Sequence, residues 1–281
     1  MSPAAPKSTP PTVPGCLISF PAPKVLLVTI NRPKQMNSVN YIMHWQLHQL
    51  FQWFDAEPDL YVAVITGSTA CKAFCAGQDL LETKDRAERS KDAPWLNIPP
   101  PSGFAGLSRR LGKKPVIAAV NGYALGGGFE IVLNCDLAVA SPGATFGLPE
   151  TLRGIYAGAG GLPRLIRECG LKISSEIAMT GRRITAQEAV RWNLINKISQ
   201  TSESLVDEAV QLAESIAKIS PDATIVTKAA LRESWETGSV ERAFQLTDQR
   251  FKEALMSGPN AKEGLAAFAE KRQPQWLPSK I

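Results

Sequence analysis

Asn121-Gly-Tyr-Ala-Leu-Gly-Gly-Gly-Phe-Glu130 is the stretch on which the reading of the fold turns. It follows Pro115–Val120 (PVIAAV), an apolar, β-branched run that reads as a buried strand. Gly126–Leu133 then reads as a helix opened by glycines. Glycines at such a junction let the backbone approach a ligand closely. They also leave the first helical N–H groups without partners. Those donors suit an anion, or an oxygen that becomes one. No Gly-Lys-Ser/Thr follows, and the GxGxxG spacing is absent, so neither phosphate-loop signature applies. A glycine-rich helix packed tightly on a sheet explains the segment equally well.

Working outward, Lys24–Ile30, Leu60–Thr66 and Asp136–Ala140 read as further strands, the last ending in the turn Ser141-Pro-Gly143. Val39–Phe54 carries Ile42, Trp45, Leu50 and Phe54 near helical spacing. From Gly160 on, the chain reads as helical. Thr185-Ala-Gln-Glu188 is a capping box, and Ser220-Pro221 places an N-cap before a first-turn proline. Helices are expected over 203–218, 221–236, 239–256 and 261–271. Strands first and helices last predict one α/β core with a helical C-terminal extension. Between Leu81 and Pro101 the pattern dissolves into charge and proline, which reads as a long functional or mobile loop. Residues 1–20 are Pro-rich and read as a disordered tail.

Composition narrows the chemistry. The 281 residues include 31 Lys+Arg against 26 Asp+Glu, a scattered excess of +5 that hints at an anionic ligand only weakly. Two His and five Cys leave little stock for metal cages, Ser-His-Asp triads or Cys-His dyads. His44 and His48 lie four apart on a predicted helix, but no HExxH arrangement surrounds them, so they read as surface or satisfied histidines. No metal site is expected. The odd, uneven cysteines predict free thiols. No apolar run reaches 18 residues, so no membrane helix is expected. Ser279-Lys280-Ile281 differs from a Ser-Lys-Leu peroxisomal address only in its last branched side chain. The expected location is therefore the peroxisome, through its import receptor, or otherwise the cytoplasm.

Two carboxylates remain as candidates for acid–base work. Glu130 lies one helical turn beyond Gly127, on an otherwise apolar helix. Glu150 follows Leu148-Pro149 in a second apolar, Gly-flanked loop. A buried carboxylate without a task is costly, and two of them beside glycine loops point to paired proton transfer.

Taken together, these motifs resemble the crotonase superfamily, and within it the enoyl-CoA hydratases. The likeness runs from about Lys24 to Arg272. It is carried by Asn31-Arg32-Pro33…Asn37, Phe74-Cys-Ala-Gly-Gln-Asp79, Gly122-Tyr-Ala-Leu-Gly-Gly-Gly128, Cys135-Asp136 and Gly158-Ala-Gly-Gly161, in family order. The resemblance implies a ClpP/crotonase-like spiral of ββα turns over 21–200 and a C-terminal helical region over 201–273 that serves oligomerisation, as a homotrimer or homohexamer. It implies an oxyanion hole from the backbone N–H groups of Gln78 and Gly127, and catalytic glutamates at Glu130 and Glu150. It implies substrate or CoA contacts near Arg32, Lys34, Ala76, Asp79, Leu80, Gly126 and Gly128. The substrate would be a coenzyme A thioester, with no bound cofactor, nucleic acid or membrane partner. Hydration of a trans-2-enoyl-CoA, in fatty-acid β-oxidation or a related pathway, is the leading expectation. Isomerisation, hydroxyacyl-CoA dehydration and CoA-ester hydrolysis are alternatives on the same scaffold, and a non-catalytic RNA-binding homologue is one from another class. Departures such as Phe129 and Ala157 bear on the acyl group rather than on the scaffold.

Overall fold

The computed structural model describes residues 6–83 and 99–281. The part of the Leu81–Pro101 loop between 84 and 98 lies outside the described residues. Strands β1 (Cys16–Ala22) and β2 (Val25–Ile30) form an antiparallel hairpin and precede helix α1 (Tyr41–Ala56). Thereafter the chain advances in strand pairs. β3 (Val62–Gly67) is followed by β4 (Ala73–Cys75). β5 (Val116–Val120) and β6 (Tyr123–Leu125) lead into α2 (Gly127–Asn134). β7 (Leu137–Ala140) and β8 (Thr145–Gly147) lead into α3 (Gly161–Thr180).

The first strand of each pair joins one sheet and the second joins another. The larger sheet has the order β1-β2-β3-β5-β7-β10, where β10 is Lys197–Ile198. The smaller has the order β4-β6-β8-β9, where β9 is Ile184–Thr185. This is the expected spiral of ββα turns. From β2 to β10 the larger sheet is parallel, and its central strands are covered on both faces. β3 and β5 are accordingly buried throughout rather than alternating, with Thr66 donating its hydroxyl to the Ala119 carbonyl. One face meets Leu47, Leu50 and Phe54 of α1; the other meets Leu205, Ala209 and Ala213 of α5 (Leu205–Ala217), the helix after the short α4 (Ala186–Arg191).

The smaller sheet positions the site. β4, β6 and β8 are adjacent and parallel, so their C-terminal ends lie along one edge. The loop after β4 holds Ala76–Gln78, the loop after β6 holds Gly126–Gly128, and the loop after β8 holds Leu148–Glu150. Parallel strands thus gather all three glycine-bearing segments at the place where α/β sheets take ligands.

The C-terminal half follows its signals closely. Thr185 and Glu188 form the capping box of α4, and Ser220 caps α6 (Pro221–Glu236) with its side chain. α7 (Val240–Ser257) and α8 (Pro259–Ala269) complete the helical region. Beyond it, the Lys280 N–H and the Ser279 hydroxyl both donate to Asp222 of α6.

Two expectations need correction. The unstructured tail over 1–20 does not extend over its described part. Val13 is buried, Lys7 and Ser8 N–H groups donate to the Glu57 carboxylate, and β1 begins at Cys16. Pairing with β2 supplies backbone hydrogen bonds that the Pro-rich composition does not advertise. The region after Gly160 is also not purely helical, because β9 and β10 interrupt it to complete the two sheets.

Gly128 shows how tightly the layers meet. A methyl group there would lie 2.1 Å from the Cys75 carbonyl oxygen. Gly128→Ala is expected to cost about 1–3 kcal/mol through overpacking against backbone. Gly143→Ala, where nothing lies within 4 Å, is its neutral control. Equal denaturant midpoints for the two variants would contradict this tight packing.

Candidate active site

Two backbone donors face the junction of the loops. Val39 and Gln78 form a parallel bridge in which Val39 N–H donates to the Gly77 carbonyl (2.9 Å) and Asp79 N–H to the Val39 carbonyl (3.0 Å). That pairing uses the groups on either side of Gln78 and turns its own N–H the other way. Gly127 opens α2, where no intrahelical acceptor exists. The two loops all but touch. A methyl at Gly77 would sit 2.9 Å from the Leu125 carbonyl oxygen and 3.4 Å from the Gly127 nitrogen. Gly77 has φ +92°, so both its conformation and its surroundings require glycine.

The carboxylates converge on the same place. Glu130, on the first turn of α2, is only 2% exposed. Its Oε1 accepts the Gly161 N–H at 2.8 Å, where α3 begins, and the Ala159 N–H also supports it. Burial raises its pKa above the usual carboxylate range, and these backbone donors and the charge of Arg164 offset only part of the rise. Glu150 enters on a short 3₁₀ turn, Pro149–Arg153. Its Oε1 would lie 2.9 Å from a methyl placed on Gly126, so the carboxylate overlies the glycine beside the second donor. Its Oε2 is buried and finds no hydrogen-bond partner among the described residues. Burial first, and then the charge of Glu130, push Glu150 up to about 7; its own backbone N–H opposes the shift. One carboxyl is therefore supplied with backbone donors and the other is left short of them. That asymmetry separates a base from an acid.

An apolar cavity of about 430 Å³ opens beside Glu150, walled by Leu148, Tyr156, Ala157, Leu162 and Met179. A larger one, about 700 Å³, lies among Arg109, Lys113, Arg167 and Arg250 and includes neither glutamate. The smaller cavity is the one that adjoins the chemistry.

A second layer escapes the sequence. The Ala105 N–H donates to His44 Nδ1 (2.9 Å), and His44 Nε2 pairs with Gln78 Oε1 (2.7 Å). Phe104 packs on Gly127, where a methyl would meet its ring at 2.6 Å. The Ser108 hydroxyl accepts from the Phe104 N–H and donates to the Ala159 carbonyl. Of these, the sequence singles out only His44, read there as a surface or satisfied histidine; it is buried on α1 and satisfied at both ring nitrogens. The others sit in an irregular segment with no period.

The remaining expected residues divide. Ala76 and Gly126 stay beside the donors. Arg32 pairs with Asp79 (3.0 Å) and donates to the Ser38 carbonyl (2.6 Å). Lys34 and Leu80 are exposed. Gly128 lies against Cys75, where an added methyl would meet the Cys75 carbonyl oxygen. His48 binds the Ser102 hydroxyl (2.6 Å), and all five cysteines are free thiols.

Comparison with known proteins places this geometry. Residues 22–278 match the family model described as "Enoyl-CoA hydratase/isomerase". The chain is 48% identical over 271 residues to a mevalonyl-coenzyme A hydratase of Aspergillus fumigatus, covering 96% of this chain and 98% of that one. It is 39% identical over 256 residues to a carnitinyl-CoA dehydratase of Proteus mirabilis, covering 90% and 94%. The crystal structure of an enoyl-CoA hydratase from Mycobacterium tuberculosis superposes with a TM-score of 0.82 at 34% identity, over 95% of this chain and all of that one.

The asymmetry of the carboxylates is measurable directly. In carbon-13 NMR of glutamate-labelled protein, one carboxyl is expected to titrate near 7 and to vanish in Glu150→Gln. A spectrum in which every carboxyl titrates below 5 would contradict the effect ascribed to burial.

Proposed function

The chain belongs to the enoyl-CoA hydratase/isomerase family, and from that premise we propose that it is a hydro-lyase acting on a CoA thioester. The reaction is reversible addition of water across the 2,3 double bond of a 2-enoyl-CoA. The support for this reading is that Glu150 overlies Gly126 beside the Gly127 N–H, that Gly77 brings the Gln78 loop against Gly127, and that Glu130 stands one turn further along the same helix and acts on the charge of Glu150.

In the hydration direction, the thioester oxygen accepts from Gln78 N–H and Gly127 N–H. Glu130, as carboxylate, takes a proton from water, and the water oxygen bonds to C3. The π electrons move to the carbonyl oxygen as enolate charge, which the two donors stabilise. One such donor is typically worth about 2.7–4 kcal/mol of barrier. Glu150, as acid, then gives its proton to C2. A proton then passes from Glu130 back to Glu150 by way of solvent and resets the pair; dehydration runs the same steps backwards.

The assignment of roles follows from the local electrostatics. Burial raises both carboxyls, but Glu130 has two backbone donors to hold its negative charge, whereas Glu150 keeps an unpartnered oxygen and is pushed up to about 7. The pair titrates as a coupled unit. For the acyl group, the likeness to a mevalonyl-CoA hydratase over nearly both full chains supports a short, branched 3-hydroxyacyl thioester and its enoyl product. The apolar walls beside Glu150 suit the hydrocarbon part of such a group.

Glu130→Gln and Glu150→Gln are each expected to lower kcat by at least about 10²-fold, the low end for acid–base groups. The assay follows absorbance of the conjugated enoyl thioester across a series of acyl chains; near wild-type turnover in either variant would sink the assignment. The pH dependence has a definite sign. Hydration starts from Glu130 ionised and Glu150 protonated, and dehydration from the other tautomer of the same singly protonated pair, so kcat in both directions should fall as pH rises through about 7. A kcat that stays flat through this range in both directions would remove the requirement for a protonated Glu150.

A further inference from the structure

We infer that His44 is a positioning residue that sets both oxyanion donors at once, gripping the Gln78 side chain with one ring nitrogen and the Phe104–Ala105 turn with the other. This rests on the proposed reading of Gln78 and Gly127 as the donors to a thioester oxygen.

The tautomer of the ring fixes the direction of both bonds. A backbone N–H cannot accept, so Ala105 N–H makes Nδ1 the acceptor. A neutral ring then carries its proton on Nε2, which donates to Gln78 Oε1. The imidazole is 4% exposed, and burial lowers its pKa, which keeps the ring in this neutral form. Its ring packs edge-on to Phe104 with centroids 4.7 Å apart.

Each contact leads to one donor. Gln78 follows Gly77, whose φ of +92° gives the loop no side chain of its own to brace it. The bond from His44 supplies that brace through the neighbouring residue. On the other side, Ala105 occupies φ +52°, a left-handed conformation that is unfavourable for an alanine. The bond to His44 helps hold it there. The turn so held presses the Phe104 ring onto Gly127, the second donor. The Ser108 hydroxyl continues the path to the Ala159 carbonyl, next to the loop that supports Glu130. A single imidazole therefore fixes the spacing between two N–H groups that come from different strands.

Two substitutions divide the two bonds. In His44→Asn, the amide oxygen can replace Nδ1 toward Ala105 but cannot reach Gln78. In His44→Gln, the amide nitrogen can replace Nε2 toward Gln78. The probe is a para-aminocinnamoyl-CoA thioester, whose absorption moves to the red when its carbonyl oxygen accepts hydrogen bonds. Bound at saturation, it reports donor geometry independently of affinity and turnover.

Wild type is expected to shift the probe. His44→Asn and Gln78→Ala should each lose much of the shift and about tenfold in kcat with KM little changed, as misplaced donors do. Combining them should lose no more than either alone, and His44→Gln should recover most of the loss. A full shift and wild-type kcat in His44→Asn, or additive losses in the double variant, would overturn the proposal. Should His44→Asn not fold, Gln78→Ala alone decides, and wild-type behaviour there overturns it as well. Absence of any shift in wild type would instead remove the oxyanion-hole reading beneath it.

Discussion

The contact between Gly77 and the Leu125–Gly127 backbone is the constraint on which the site depends. Two main chains can approach this closely only where side chains are absent, and the parallel pairing of β4 with β6 brings them there. A third strand, β8, lies beside them and delivers Glu150 onto Gly126. The large sheet and its covering helices give the small sheet something rigid to lean on. The site sits at the end of strands only three residues long, and precision comes from packing around them, as at Gly128 against Cys75.

That arrangement also solves an electrostatic problem. Removing two carboxylates from water beside one another is expensive, and each resists ionisation in the presence of the other. The fold supplies Gly161 and Ala159 N–H groups to one of them and almost nothing to the other. The result is a pair in which burial raises both proton affinities and backbone donors offset part of the rise at Glu130. The scarcity of histidine and cysteine in the chain is consistent with that economy.

Much of this is legible in the amino-acid sequence. The helices after Gly160 declare themselves through the Thr185 capping box and the Ser220-Pro221 start, because caps are local chemistry. Glu130 stands out as a charge on an apolar helix. What stays hidden has a physical reason in each case. Strands of three residues, such as β4 and β8, are too short to show a period. β1 is half-buried and flanked by prolines, so its composition resembles a tail. Arg32 looks like a free cation until Asp79, 47 positions away, is brought against it. His44 looks like one more helical residue until the 104–106 turn arrives from a distant segment to take its other nitrogen.

Making the donors from main chain has a consequence for how this site can vary. An N–H group is common to nineteen of the twenty amino acids, and only proline lacks it. Exchange of the side chain at position 78 therefore leaves the donor itself in place, and the side chain becomes available for another task. Glutamine at this position is held by a histidine from α1. Variation that would abolish a serine or cysteine nucleophile outright is here converted into small changes of angle and spacing. A scaffold of this kind can be retuned in graded steps, with its chemistry retained while its preference among acyl groups drifts.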